Sequence, residues 1–406
     1  MGNKVKKILS FHRKEAYNLI NLFTDELGSA LTRLGVGFDV IDQPDNETST
    51  ENIARMLDKE HYDAVVVFNA EGQQDYELNG RNIWEKYDIP FYDYILDHPV
   101  EHQREMRSRN CVMNAITIDS EHAELAARWF PNLRSVNYIP AGGTGGIGNM
   151  DPDEWTSRSK DIIYVGVHED LEKMTDTIAG YPEHTVKLIG NIIDLMLDDK
   201  NMSYYQAFRK ILADYGLLND LSDEEELGYA VICRIASRYI RAYRREEIIR
   251  YILDTDNDWQ LHIYGNGWDR INEESNNRAI LHEPLPYSDM IKLYENSKIV
   301  LNVMSHYKNA ILDRIPSAML SGACVLSEKT DYLKRTVPDD GIFFYDTDRP
   351  YDVPGMITDM IAHPDRLFGT AQKGYEYACS SLRWDNTAEK LIGVISAQAD
   401  GRGKRW

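Results

Sequence analysis

Near residue 310 the chain reads His306-Tyr307-Lys308-Asn309-Ala310-Ile311-Leu312-Asp313-Arg314-Ile315-Pro316-Ser317, which sets three bases, an acid, an amide and a hydroxyl close together. An arginine at the start of a helix supplies what a diphosphate needs, fixed positive charge beside open backbone N–H groups. Lys308 and His306 are close enough in sequence to help Arg314. The alternative is that Arg314 pairs with Glu328 or another surface acid. Asn309, Asp313 and Ser317 would share a face if the helix were continuous, but Pro316 is tolerated only in a first turn and puts the helix start near Asp313.

A second constellation is Asp97-His98-Pro99. An Asp-His pair can take a proton from a hydroxyl. It can also cap a helix, with Asp97 as N-cap and Pro99 at the first helical position. His12-Arg13 and Asn69 with Glu71 stand at the ends of two other β-rich runs. Gly166 after one apolar run, and Tyr264-Gly265-Asn266-Gly267 at the end of another, permit close backbone approach to a ligand. His282 to Tyr287 carries two prolines beside an aromatic, either a nucleobase-holding loop or a rigid surface loop.

Two tempting motifs fail. Gly143-Thr144-Gly145-Gly146-Ile147-Gly148 spells G-x-G-x-x-G, but a dinucleotide site needs a helix N-terminus immediately after it. Asn149-Met150-Asp151-Pro152-Asp153 follows instead, so Gly142 to Gly148 reads as an interdomain hinge. Asp151-Pro152-Asp153, Asp254-Thr255-Asp256 and Asp346-Thr347-Asp348 spell D-x-D, as chance allows in a chain with 66 acids, and no metal site is expected. The run from Asp254 also imitates a calcium loop, yet Trp259 sits where the glycine must turn and Gly265 where the bidentate acid belongs.

The elements that must position these residues alternate. Lys7 to Phe11, Phe38 to Ile41, Ala64 to Phe68, Phe91 to Leu96, Ala115 to Ile118 and Val136 to Ile139 read as strands, with helical spacing between them. The pattern restarts with Ile162 to Gly166, Leu261 to Gly265, Ile299 to Val303, Cys324 to Leu326 and Ile342 to Tyr345. The expectation is an α/β chain of two tandem doubly wound, Rossmann-like domains facing a cleft. The first covers residues 1–140, a linker 141–160, and the second 161–384 with a helical insertion at about 170–244; a helix at about 385–402 packs back on the first domain. Inside the insertion Arg234, Arg238, Arg241 and Arg245 fall on one helical face. They suit a phosphorylated or lipid-linked ligand, ion pairs with Asp223-Glu224-Glu225-Glu226, a solvated face or an oligomer contact.

A formal charge of −21 argues against nucleic acid or an anionic membrane as the main partner. Cys111, Cys233, Cys324 and Cys379 lie far apart, with neither C-x-x-C nor zinc spacing, as reduced thiols in a cytoplasm would. Neither a signal peptide nor a membrane-spanning run is legible.

Leu281 to Met290 and Leu293 to Val303 resemble the donor domain of GT-B glycosyltransferases. More narrowly, Asp313 to Leu326, followed by Asp331-Tyr332-Leu333 and by Trp384-Asp385-Asn386-Thr387-Ala388, is similar to the spore-maturation (CgeB-like) branch of the group 1 enzymes. That resemblance implies a metal-independent transfer of sugar from a nucleoside-diphosphate donor, of UDP or GDP type, to a glycan, protein or lipid-linked acceptor, without a further cofactor. It implies donor contacts from Gly166, Tyr264, Gly265, Asn266, His282, Tyr287, His306, Asn309, Asp313, Arg314 and Ser317, and acceptor chemistry from Asp97 and His98. Group 1 enzymes often carry two glutamates where this chain has Asn309 and Ser317. A nucleotide-sugar epimerase and a non-catalytic nucleotide-sugar binder are the rival readings, and a homo-oligomer is open.

Overall fold

The computed structural model describes residues 5–43, 49–70, 72–108, 111–304 and 307–399; Glu71 and His306 lie outside the described residues. The chain divides into two compact units. The first runs to Thr144 and adds Pro286–Ser288 and the chain from Leu382; the second is Gly145–Leu285 with Asp289–Ser381.

The first unit holds six parallel strands, β1 (Lys7–Arg13), β2 (Gly37–Gln43), β3 (Ala64–Phe68), β4 (Phe91–Ile95), β5 (Met113–Thr117) and β6 (Ser135–Tyr138). Their order is β2-β1-β3-β4-β5-β6. The centre of this sheet needs unbroken apolar runs, because helices cover both faces. Ala64-Val65-Val66-Val67-Phe68 is buried at every position and meets that need.

The helix Trp384–Ala399 completes this unit. Trp384 is 1% exposed, with its ring 5.1 Å from Phe23 and 5.9 Å from Phe68. Its backbone comes so near Gly142 that a Cβ there would lie 2.5 Å from the Trp384 nitrogen. Gly143 donates to the Leu382 carbonyl at 2.7 Å. The first half of the glycine run is therefore packed against residues 382–384.

The second half belongs to the other unit. Gly145 and Gly146 take φ of 92° and 142°, conformations that other residues rarely adopt. Downstream, Trp155 donates through Nε1 to the Gly322 carbonyl at 2.7 Å, and Arg158 donates to the Ser297 and Ser321 carbonyls at 2.8 and 2.9 Å.

The second unit's strands are β7 (Lys160–Val165), β8 (Leu261–Tyr264), β9 (Ile280–His282), β10 (Ser297–Asn302), β11 (Cys324–Glu328) and β12 (Phe343–Tyr345). They are parallel and ordered β9-β8-β7-β10-β11-β12. Between β7 and β8 come the helices Leu171–Ala179, Glu183–Asp198 and Tyr204–Asp214, then one of 31 residues, Asp223–Leu253. A capping box of Ser222 and Glu225 starts this last helix, and no proline interrupts it. It runs past position 244, where the insertion was expected to end. Its final turns carry Ile248, Ile249, Ile252 and Leu253 into the core beneath the sheet. Insertion and crossover helix are one rod, and its arginine face reaches the sheet edge.

Among the described residues no helix is long and apolar enough to cross a membrane.

Candidate functional site

In the strand order of the second unit the chain reverses direction across the sheet between β7 and β10. Open α/β sheets bind ligands beyond the carboxyl ends of the strands at such a switch point. Val165 ends β7 and Asn302 ends β10. Arg314 opens the helix Arg314–Leu320 and places Nη1 3.4 Å from Asn302 Oδ1. Glu328, its expected alternative partner, is 2% exposed and otherwise engaged. Lys308 lies 3.7 Å from Glu328, which also accepts the Met304 N–H.

Arg245 reaches the same edge and donates through Nη1 to the Val167 carbonyl at 3.1 Å. Burial lowers its pKa, and the neighbouring Arg314 and Arg241 charges add to that effect. Arg238 and Arg241 hold Glu169, the latter at 2.6 Å. Burial opposes ionisation of Glu169, yet bonds from Arg241 and Arg238 keep its carboxyl below the usual range. The expected pairing with Asp223 to Glu226 does not form for these two arginines. Those acids cap the first helical turn, about 18 Å along the axis from Arg238. Arg234 sits over the Tyr204 ring, 5.6 Å from its centroid.

The glycines at the strand ends serve the scaffold of this edge. Gly265 has φ of 142°, and a Cβ there would lie 2.4 Å from the Gly166 carbonyl oxygen. At Gly267 a Cβ would meet the His168 carbonyl oxygen at the same distance. Gly166 O accepts from Trp268 Nε1 at 2.8 Å, and the exposed Asn266 accepts the His168 N–H at 3.0 Å. The close approach that the sequence assigned to a ligand is thus made by one loop to its neighbour.

Tyr264 is 7% exposed and stacks on His282 at 4.2 Å. His282 Nε2 lies 2.9 Å from His262 Nδ1. Burial lowers both imidazoles, His262 to about 4, so both are neutral near pH 7.

Two expected contacts are corrected. Tyr287 is 3% exposed within the first unit, where its N–H donates to the Tyr17 carbonyl and its ring lies 5.5 Å from Phe23; it cannot stack on a nucleobase there. Ser317 is fully buried inside its helix, so its hydroxyl is not presented to a ligand. The helix begins at Arg314 with Asp313 as its N-cap, as Pro316 predicts, so Asn309 precedes it and shares no helical face with Asp313 and Ser317.

In the first unit the order reverses between β1 and β3, and polar residues gather at those strand ends. Arg13 donates through Nη1 to the Asn69 carbonyl at 2.8 Å. Asn69 accepts the Leu96 N–H and donates to Asp97 Oδ2 at 2.9 Å. His102 Nε2 lies 3.6 Å from the same Asp97 oxygen. Asp97's side chain is 58% exposed, against 14% for His102. Burial works to lower the His102 pKa, but the nearby Asp97 carboxylate and the Asp93 charge outweigh it and raise the value.

His98 proves to be the cap, in place of Asp97. It is 4% exposed, accepts the Val100 N–H on Nδ1, and lies 4.6 Å from His122 and 6.4 Å from Trp129. A ring so enclosed cannot meet an acceptor, and the expectation that it does is corrected. His102 was missed because the sequence does not display the fold-back of the one-turn 3-10 helix Pro99–His102 that brings it near Asp97.

Asp93 lies behind this pair, fully buried, with one oxygen taking the Ala70 N–H at 2.9 Å and the other without a partner. Burial lifts its pKa to about 6. A raised carboxyl favours the folded state at low pH, and that contribution is lost as pH rises through about 6. Asp93→Asn should therefore gain stability relative to the unsubstituted protein between about pH 4 and pH 7. Denaturant unfolding at both pH values checks this, and a pH-independent difference would refute a titrating Asp93.

The acids of the D-x-D runs have local tasks. Asp151 caps the helix Pro152–Thr156, and Asp346 accepts the Asp348 N–H. Among the described residues no cluster of three or more His, Cys, Asp or Glu side chains forms a metal-type group.

Residues 244–393 match a family described as glycosyl transferase-like. No curated protein matches the chain in sequence. A sucrose-phosphate synthase from Thermosynechococcus elongatus superposes with TM-score 0.56 at 11% identity, over 98% of this chain and 99% of that one. A glycosyltransferase from Rickettsia africae gives 0.52 at 10% identity, over 98% and 99%. Anabaena HepE, solved in complex with UDP-glucose, gives 0.50 at 11%, over 96% and 99%. The fold is that of GT-B glycosyltransferases. The family match and this fold together support a transferase, and the matched segment contains both Arg245 and Arg314.

Proposed function

We propose that the protein transfers a sugar from a nucleoside-diphosphate sugar, of UDP or GDP type, to an acceptor hydroxyl on a glycan, protein or lipid-linked molecule. The observation that carries this reading is Arg314 at the switch point of the second sheet, while Lys308 is occupied by the neighbouring buried acid Glu328. The short helix behind Arg314 has only seven residues, so the guanidinium is the main source of charge for the departing diphosphate. Charge from arginine takes the role a divalent ion would otherwise have, and we therefore propose metal-independent transfer. The UDP-glucose complex of HepE favours a UDP-type donor. The segment from Asp313 to Leu326 favours the spore-maturation branch.

For the acceptor we propose Asp97 with His102. As the acceptor oxygen bonds to the anomeric carbon, its proton passes to this pair, and the bond to the diphosphate breaks to release the nucleotide. The four free cysteines suit a reducing compartment, and we assign the protein to the cytoplasm.

A second reading, a nucleotide-sugar binder without turnover, is favoured by Asn309 and the buried Ser317 at the positions of the usual glutamates. Incubation with donor and a broad acceptor panel separates the two, since only the transferase releases nucleotide with a glycosylated product.

Thermal unfolding with UDP, GDP, dTDP, CMP and ADP, each alone and as sugar conjugates, tests the donor site. A ligand at about 100 times its Kd adds roughly 2.7 kcal/mol to the native state. The largest midpoint shift is expected with a UDP conjugate, and absence of any shift across the panel removes the donor reading.

A further inference from the structure

The basic face of the helix Asp223–Leu253 ends at the ligand edge of the sheet. Arg238 and Arg241 close on the Glu169 carboxylate, four residues beyond the end of β7, and Arg245 follows one turn later on Val167. The Nε atoms of Arg241 and Arg245 are buried and lack hydrogen-bond partners. Arg314 brings a further guanidinium to the same strand ends. Like charges gathered at one edge, with two buried donors unused, are unfavourable unless an anion with several oxygens answers them. One carboxylate supplies a single negative charge and two oxygens. A diphosphate brings more of both.

We propose that Arg241 and Arg245 of the insertion helix form, together with Arg314, a seat for the diphosphate of the ligand, and that Glu169 fills part of this seat when no ligand is bound. The inference rests on the donor reading for the identity of the anion, and adds to it a second wall and an internal competitor. The backbone before Glu169 is fixed, since the His168 N–H is bonded to Asn266 O. Exchange needs only a side-chain rotation that swings the Glu169 carboxylate off Arg241, leaving its Nη2 to the incoming phosphate oxygen. Val167, 48% exposed beside it, leaves this approach open to solvent. The insertion is then part of ligand recognition, and apparent affinity is set partly by how well the ligand displaces Glu169.

Isothermal titration of the full chain with inorganic pyrophosphate and with UDP, at one fixed ionic strength, tests this. Arg245→Gln should weaken both ligands about 10- to 100-fold, and Arg245→Lys should restore part of the loss. Glu169→Gln should tighten pyrophosphate by about 3- to 10-fold, because the competitor has lost its charge. Circular dichroism confirms that each variant is folded. Unchanged or weaker binding by Glu169→Gln makes Glu169 a strut and overturns the exchange; unchanged binding by Arg245→Gln overturns the seat. If UDP binding depends on Arg314 but on neither Arg245 nor Glu169, this inference falls and the donor reading stands. If pyrophosphate binds with the expected dependence while no nucleotide sugar binds, the seat stands and the donor reading falls. Failure of unsubstituted protein to bind pyrophosphate overturns the seat.

Discussion

Replacing Trp384 by alanine is expected to destabilise the first unit by about 3–5 kcal/mol, the range for removing a buried tryptophan. The residue is 1% exposed, its ring contacts Phe23 and Phe68, and its Nε1 donates to Thr144 Oγ1 at 3.1 Å. Alanine would leave a cavity among aromatics and strip Thr144 of that bond. The cavity has little means of collapse, because the same turn is held by Gly143 on Leu382 and by the Thr387 hydroxyl on the Pro140 carbonyl. Urea unfolding should show the first unit melting well before the second, as two separated transitions. A loss below about 1 kcal/mol would mean that the helix Trp384–Ala399 is an accessory to the core.

Alanine at Arg314 should abolish the stabilisation that the nucleotide sugar confers while leaving the unliganded protein close to its original midpoint. Arg314 is half-buried, and its contact with Asn302 Oδ1, an uncharged amide oxygen at 3.4 Å, is long, so losing that contact costs the scaffold little. If the substitution weakens binding about 100-fold, a ligand concentration that gave roughly 2.7 kcal/mol now gives about 0.4 kcal/mol. Arg314→Lys should retain an intermediate shift, because charge remains but the planar fork is lost. An undiminished shift with alanine would place the diphosphate elsewhere.

The sheets were legible in the sequence wherever a strand is buried on both sides, as Ala64 to Phe68 is. The edge strand Ile280–His282 was not, since its three residues are all half-exposed and merge with a proline-rich loop. Arg314 was legible because proline and an acid mark the start of its helix. The roles of Tyr287 and Ser317 were not, because a loop-like composition does not say which side chains turn inward. Gly265 illustrates an intermediate case. Its close approach was foreseen, but the partner is a carbonyl 99 residues earlier in the chain rather than a ligand. The partner of Arg238 was equally hidden, being 69 residues away on another loop. Spacing along a helix shows which arginines line up, and only the fold shows what they face.

The first unit is assembled from chain segments that emerge far apart in time during synthesis. Its sheet is complete once Tyr138 has been made, yet Phe23 and Phe68 wait for Trp384 to cover them. By then the whole of the second unit, through Ser381, has already left the ribosome. The amino-terminal unit therefore cannot be completed before the residues of the second have been made, unlike the usual vectorial order in which the amino-terminal domain is finished first. A chain released after Ser381 would carry every residue of the second unit and a first unit whose Phe23 and Phe68 lack their Trp384 cover.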